Sequence, residues 1–255
     1  WDMNAFEFRL GLRVTMAEGP IRTHGYIIGV PKNEGARRFT ILKSLTQRVP
    51  GTLFVDSGSF VDGNSSVRDD ALSLHRPIGF QMLKRLNPAA LVPGHTELAG
   101  GATQFLEEAR AAGLPYLATN WTTKREDLQL PKVLEHTVES EQGLLTVAFL
   151  AVIDPSVQRE VHHLVDEGIT ITDPVEAVTA TVRALRARPA PPNAIVLLSS
   201  GSPELIQYLR RSVVGVDLVI GDRGQPIQRL QQAEWTLMDA AGDTTLSAAV
   251  PPLRD

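Results

Sequence analysis

Four short polar clusters, each following an apolar run, hold the residue types that could do chemistry. They are Asp56-Ser57-Gly58-Ser59-Phe60, Gly94-His95-Thr96-Glu97, Ser199-Ser200-Gly201 and Gly221-Asp222-Arg223-Gly224-Gln225. Histidine and carboxylate side chains can exchange protons or ligate a cation, and a serine hydroxyl can attack when a base activates it. Ser57, Ser59, Ser199, Ser200 and Ser202 sit in turns, but none lies in a Gly-x-Ser-x-Gly elbow, so a Ser-His-Asp hydrolase lacks its usual frame. Gly-x-x-x-x-Gly-Lys and Gly-x-Gly-x-x-Gly are both missing, which leaves the common nucleotide cradles unsupported. His162-His163 are adjacent and would diverge on a helix, so they read as a solvated face.

The elements that must position these clusters follow from periodicity. Pro77 to Leu86 places Ile78, Phe80, Met82, Leu83 and Leu86 at helical spacing, and Asn87-Pro88 ends that helix. Ala89 to Val92 is a short buried strand feeding Gly94 to Glu97, and Thr103 to Ala112 is the next helix. Polar residues at the carboxyl end of such a strand occupy the place where open α/β sheets bind ligands. Phe6 to Met16 is a first strand or hairpin, Ala36 to Leu45 a helix, and Thr52 to Val55 a strand. Residues 61–75 read as a loop, and Tyr116 to Thr119 as a strand ending at Asn120-Trp121. Val133 to Val138 and Leu144 to Val152 pair, and Asp154-Pro155 closes them.

Asp173-Pro174-x-Glu176 marks a helix start with an N-cap, a first-position proline and an acid in the first turn, and that helix runs to about Arg188. Ser202-Pro203-Glu204 marks another after the buried strand Ala194 to Leu198. Val216 to Ile220 is a strand, and Glu234 to Leu253 reads as two short strands around Gly242-Asp243. Strands alternating with helices give an α/β layered domain.

At 255 residues, 43% apolar and 21% charged, the chain can bury a large core. A net charge of −4 supplies no basic stripe, so nucleic acid is not an expected partner. The lack of cysteine rules out disulfides and thiolate ligands or nucleophiles. No apolar run reaches the roughly 20 residues that span a bilayer as a helix.

Taken in order, the loops resemble those of the 5′-nucleotidase branch of the calcineurin-like metallophosphoesterases, from about Asn33 to Leu253. Asn33-Glu34-Gly35-Ala36-Arg37-Arg38 is similar to that family's Gly-Gly-Leu-Ala-Arg helix start, and Thr52 to Phe60 resembles its Thr-Leu-Leu-Leu-Asp-Ala-Gly-Asp-Phe. Leu91 to Gly101 resembles its Val-Gly-Asn-His-Glu-Phe-Asp-Tyr-Gly, and Gly168 to Ala177 its Gly-Ile-Thr-Phe-Thr-Asp-Pro-Val-Glu-Ala. Val216 to Gly221 matches the strand before its terminal Gly-His-Ser-His. The resemblance implies a four-layer α/β/β/α sandwich with a two-metal site at the strand ends, the ions roughly 4 Å apart and activating water against a phosphoryl group.

The ligand positions depart from that pattern. The metal-bridging Asp falls on Ser59, the ligand Asn on His95, the catalytic His on Thr96, a further His on Ser200, and the last two on Arg223 and Gln225. The opening Asp-x-His falls either on Arg22 to Gly25, keeping only His24, or near Glu18-Gly19-Pro20. Hydroxyls are weak ligands, Gln is a poor one, and Arg stays protonated. Asp56 is expected to support its loop. The Arg223 guanidinium is expected near the vacated metal position, paired with Asp222, Glu97 or Asp56.

The expectation is a non-catalytic binding or scaffolding module without a cofactor, residues 1–255 forming one domain with the family's C-terminal substrate domain absent. The alternative is a phosphoesterase with a reduced site, in which His24, His95 and Glu97 hold one divalent ion such as zinc or manganese. A protein partner or larger parent assembly is expected against the 61–75 loop and the edge near Trp121. The resemblance also implies a periplasmic or cell-surface location.

Overall fold

The computed structural model describes residues 6–16, 21–31, 52–58, 69–140, 143–221, 227–228, 233–238 and 244–249. Strands β1 (Phe6–Met16) and β2 (Ile21–Pro31) pair antiparallel along their whole length. β1 also pairs antiparallel with β3 (Thr52–Asp56), which runs parallel to the short β4 (Ala90–Leu91). The expected helix at 36–45 lies outside the described residues.

Between β3 and β4 the reading of 61–75 as loop needs correction from residue 69 onward, because α1 spans Asp69–Leu86 and takes in Pro77, while 61–68 lie outside the described residues. Pro77 looks like a first-turn proline, yet it sits in the helix interior, where it removes one backbone donor. Lys84 and Arg85 in the last turn complement the negative end of the helix dipole. Asn87, at φ 50°, supplies the left-handed turn that ends the helix, and its N–H returns to Lys84 O at 3.1 Å.

After β4 come α2 (His95–Leu98), α3 (Ala102–Ala112) and β5 (Trp121–Thr123). The strand expected at 116–119 is a single bridge between Tyr116 and Leu91; the paired strand begins at Trp121. Trp121 itself is 1% exposed, with its Nε1–H donating to Leu128 O at 2.9 Å. Next are β6 (Leu134–Ser140), β7 (Gly143–Ile153), α4 (Ser156–Glu160), α5 (His163–Asp166) and β8 (Ile169–Ile171), the last pairing with β5. His162 and His163 are exposed, as expected.

The last third holds α6 (Pro174–Arg186), β9 (Ala194–Ser200), α7 (Pro203–Ser212) and β10 (Leu218–Gly221). They are followed by β11 (Ile227–Gln228), β12 (Ala233–Met238) and β13 (Thr244–Ala249). Both marked helix starts are made: Asp173 Oδ1 accepts the Glu176 N–H at 2.8 Å, and Ser202 Oγ accepts the Leu205 N–H at 3.2 Å. α6 ends at Arg186, a turn's fraction short of the expected Arg188.

Among the described residues the strands form a six-stranded sheet, β13-β12-β2-β1-β3-β4, and a five-stranded sheet, β11-β10-β9-β7-β6. The period of two along β7 shows how the second sheet is covered. Val147, Phe149, Ala151 and Ile153 join one core, shared with Phe54, Val55 and Leu91 of the first sheet and with Leu83 and Phe105 of α1 and α3. Ala148, Leu150 and Val152 join the other, against Val178, Val182 and Leu185 of α6 and Ile206 and Leu209 of α7. Helices therefore lie outside each of two packed sheets, which is the expected four-layer α/β/β/α sandwich. Each fully buried Leu or Phe in these cores contributes about 1.5–3 kcal/mol, more than a typical polar contact at a strand end.

Candidate functional site

β3 and β4 run parallel, as do β7, β9 and β10, so within each sheet these strands deliver their carboxyl-end loops to one side. Three of the loops touch. Gly58 has φ +110°, and a Cβ built there would stand 2.9 Å from Ser200 Cβ, 3.1 Å from Gly94 Cα and 3.2 Å from Gly94 N. Glycine is required at that position twice over, for its backbone angle and for the approach of both neighbours. Asp56 Oδ1 accepts the Gly58 N–H at 2.9 Å, the loop-supporting part expected of it. Ser200 Oγ donates to Pro93 O at 3.1 Å and so stitches the end of β9 to the loop after β4.

The cluster after β4 turns inward on itself. Glu97 is 1% exposed, and its Oε2 accepts the Gly94 N–H at 3.0 Å and the Thr96 hydroxyl at 3.2 Å. A glutamate at the third helical position reaching back to the residue before the helix is the returning half of a capping box. His95 points to solvent, with Nε2 3.4 Å from Glu160 Oε2 on α4. His95 and Glu97 are thus held in different surroundings, one exposed and one buried. His24 lies on β2, opposite Arg13 of β1 and Glu234 of β12. Ser59, Arg223 and Gln225 lie outside the described residues, and with them the expected pairing of Arg223.

At the end of the second sheet, Asp154 follows β7. Its Oδ1 accepts the Ser156 N–H at 2.9 Å and its Oδ2 the Ser202 N–H at 3.2 Å. Partial burial pushes its carboxyl up, but the donated hydrogen bonds from Ser156 and Ser202 outweigh this and hold it below the usual aspartate range. Ser199 is fully buried, and its Oγ has no hydrogen-bond partner among the described residues.

Asn120 was legible in the sequence only as a polar strand end. It is fully buried, accepts the Ile153 N–H at 3.0 Å, and donates to Ile153 O at 2.9 Å and Thr172 O at 3.2 Å, clamping the last residue of β7. His136 on β6 carries no sequence signal of its role; its Nε2 lies 2.7 Å from Ala89 O and ties the second sheet to the start of β4.

The described side chains of this set do not by themselves make a two-metal centre. Among the described residues no three His, Asp or Glu side chains converge on one point. At the two described hydroxyl positions, Ser200 and Thr96 already donate to Pro93 O and Glu97, and the Glu97 oxygen that Thr96 meets is committed to Gly94. Among the described residues, these contacts hold the end of β9 against the loops after β3 and β4.

No family model matches the chain, and no curated protein matches it in sequence. Solved structures do match. The calcineurin-like phosphoesterase YfkN from Bacillus subtilis is similar at 20% identity and TM-score 0.58, over 73% of this chain and 62% of that one. The 5′-nucleotidase precursor from Thermus thermophilus is similar at 20% identity and TM-score 0.60, over 88% of this chain and 44% of that one. The Haemophilus influenzae NAD nucleotidase is similar at 15% identity and TM-score 0.60, over 94% of this chain and 42% of that one. The chain thus spans less than two thirds of each of these proteins. At such identities the likeness establishes the fold, which is that of the calcineurin-like phosphoesterases and 5′-nucleotidases.

Proposed function

We propose that this chain is a non-catalytic metallophosphoesterase-like domain, a pseudo-enzyme that serves as a binding or scaffolding module for a protein partner or within a larger assembly. The observation that carries this reading is the commitment of Ser200. At a position where the resemblance calls for a metal-binding histidine, a hydroxyl is buried, bonded to Pro93 O and packed on Gly58. Thr96, in the place of the catalytic histidine, is likewise bonded within its own loop. Both side chains serve the fold, and neither is a good cation ligand. The single-domain organisation over residues 1–255 and a periplasmic or cell-surface location belong to the same proposal and rest on the resemblance.

The test is an assay of the purified chain with nucleoside monophosphates and p-nitrophenyl phosphate, alone and with added Mn²⁺, Zn²⁺ or Mg²⁺. No hydrolysis above the buffer rate is expected. Melting in EDTA should match melting in excess Zn²⁺ or Mn²⁺, since an ion at 100 times its dissociation constant would add about 2.7 kcal/mol. A metal-stimulated rate that vanishes in His95→Ala, together with a metal-dependent rise in melting temperature, would overturn the proposal in favour of a reduced single-metal phosphoesterase.

A further inference from the structure

The start of α3 is capped from far away. Gly101, in the N-cap position at φ 96°, has no side chain to accept the first helical N–H groups. Glu167, just beyond α5, supplies the acceptors: its Oε2 takes the Ala102 N–H at 2.8 Å and its Oε1 the Thr103 N–H at 2.9 Å, across 65 and 64 residues. These are two of the four N–H groups that a helix cannot satisfy by itself, at the end where its dipole favours a negative charge.

We propose that Glu167 is a carboxylate latch, a positioning residue that fixes the start of α3 and, through it, the segment carrying His95, Thr96 and Glu97. The mechanical link is short. The Gly101 N–H bonds Leu98 O at 2.9 Å, and the Leu98 N–H bonds Gly94 O at 3.3 Å, so the latched end of α3 is continuous with α2. The charges around the latch are Arg125, which reaches Thr103 Oγ1 at 3.5 Å, Asp127 paired with Arg125 at 2.5 Å, and Glu107 of α3 within electrostatic reach of Arg125. His163 and Asp166 precede Glu167 on its own side.

Partial burial pushes the Glu167 carboxyl up, but hydrogen bonds from Thr103 and Ala102 and the charge of Arg125 bring it below the usual glutamate range. With the folded value depressed, the latch contributes in full above the unfolded glutamate range and opens as pH falls through the folded value. It works independently of whether the chain is catalytic.

The test is residue-resolved hydrogen exchange on the full chain at neutral pH. Glu167→Ala should speed exchange at Ala102 and Thr103 by about tenfold or more, the effect of losing a hydrogen bond to a charged group. Glu167→Gln, which keeps the shape and removes the charge, should fall between. The start of α6, capped separately by Asp173, should be unchanged. Added formate should slow the Ala102 and Thr103 amides in Glu167→Ala, and chloride at equal ionic strength should not. Wild-type exchange rates at those amides in Glu167→Ala, or an equal speeding at the start of α6, would overturn the proposal. So would slowing by chloride as great as that by formate.

Discussion

The two ends of β9 are built from different materials. At its amino end, Asp217 accepts the Arg186 guanidinium at 2.5 Å and the Ile195 N–H at 2.7 Å, while Arg186 also donates to Pro192 O at 2.9 Å and Gly215 O at 3.1 Å. That end is a charged stitch joining α6 to the strand and to the turn before β10. At its carboxyl end, Ser200 meets Gly58 and bonds Pro93 O. The close contacts there are made by a neutral hydroxyl and bare backbone, with the carboxylates of Asp56 and Asp154 bonded to backbone N–H groups. In α/β sheets the carboxyl end is the one from which chemistry is expected, and here its described loops pack closely on one another. The contrast is between an ion pair with its hydrogen bonds at one end of the strand and close backbone packing at the other.

Four variants test this contrast by thermal or denaturant melting. Gly58→Ala should be the most damaging, at about 3 kcal/mol, because a left-handed φ and contacts at 2.9–3.2 Å act together. A near-neutral effect would show that the carboxyl-end loops are not packed as described. Asp217→Ala should come second, at about 2 kcal/mol, since it strands both Arg186 and the Ile195 N–H, with some relief from solvent because the pair is about a third exposed. If it cost less than the next variant, the charged stitch would not outweigh the hydroxyl bond at the other end.

That next variant is Ser200→Ala, which removes one buried hydroxyl bond to Pro93 O and should cost about 1 kcal/mol. Smallest is Asp154→Asn. Because the Asp154 carboxyl is depressed in the folded chain, its contribution is present above the unfolded aspartate range and lost as pH falls through the folded value. The variant should therefore melt slightly lower than wild type at neutral pH and converge with it in acid. A constant offset across that range would mean the charge of Asp154 plays no part.

The amino-acid sequence made some of this visible, and the division has a physical basis. The starts of α6 and α7 were legible because Asp173 and Ser202 act on N–H groups three residues away, within one reading window. β9 was legible because a strand covered on both faces must be apolar throughout. Glu167 was not legible, since its partners lie 64 and 65 residues back. Pro77 misled because a proline inside a helix and one at its start look alike in sequence. The burial of the Trp121 ring was not legible either, since its N–H partner, Leu128 O, lies seven residues on among polar neighbours. At the candidate site, the resemblance pointed to the positions where it expects ligands, but only coordinates could show how Ser200 and Thr96 are engaged.

One further consequence concerns the order in which the molecule can be made. β12 lies parallel to β2, with Ala233 opposite Thr23 and Met238 opposite Ile28, so an early strand waits for a partner about two hundred residues later in synthesis. β1 and β2 can pair as soon as both have emerged, being adjacent in the chain. Until residues 233–238 follow, β2 presents an unpaired row of backbone donors and acceptors that any neighbouring extended chain can satisfy. Closing so large a loop is slow, so this edge is covered late and is a place where a nascent or shortened chain is open to aggregation.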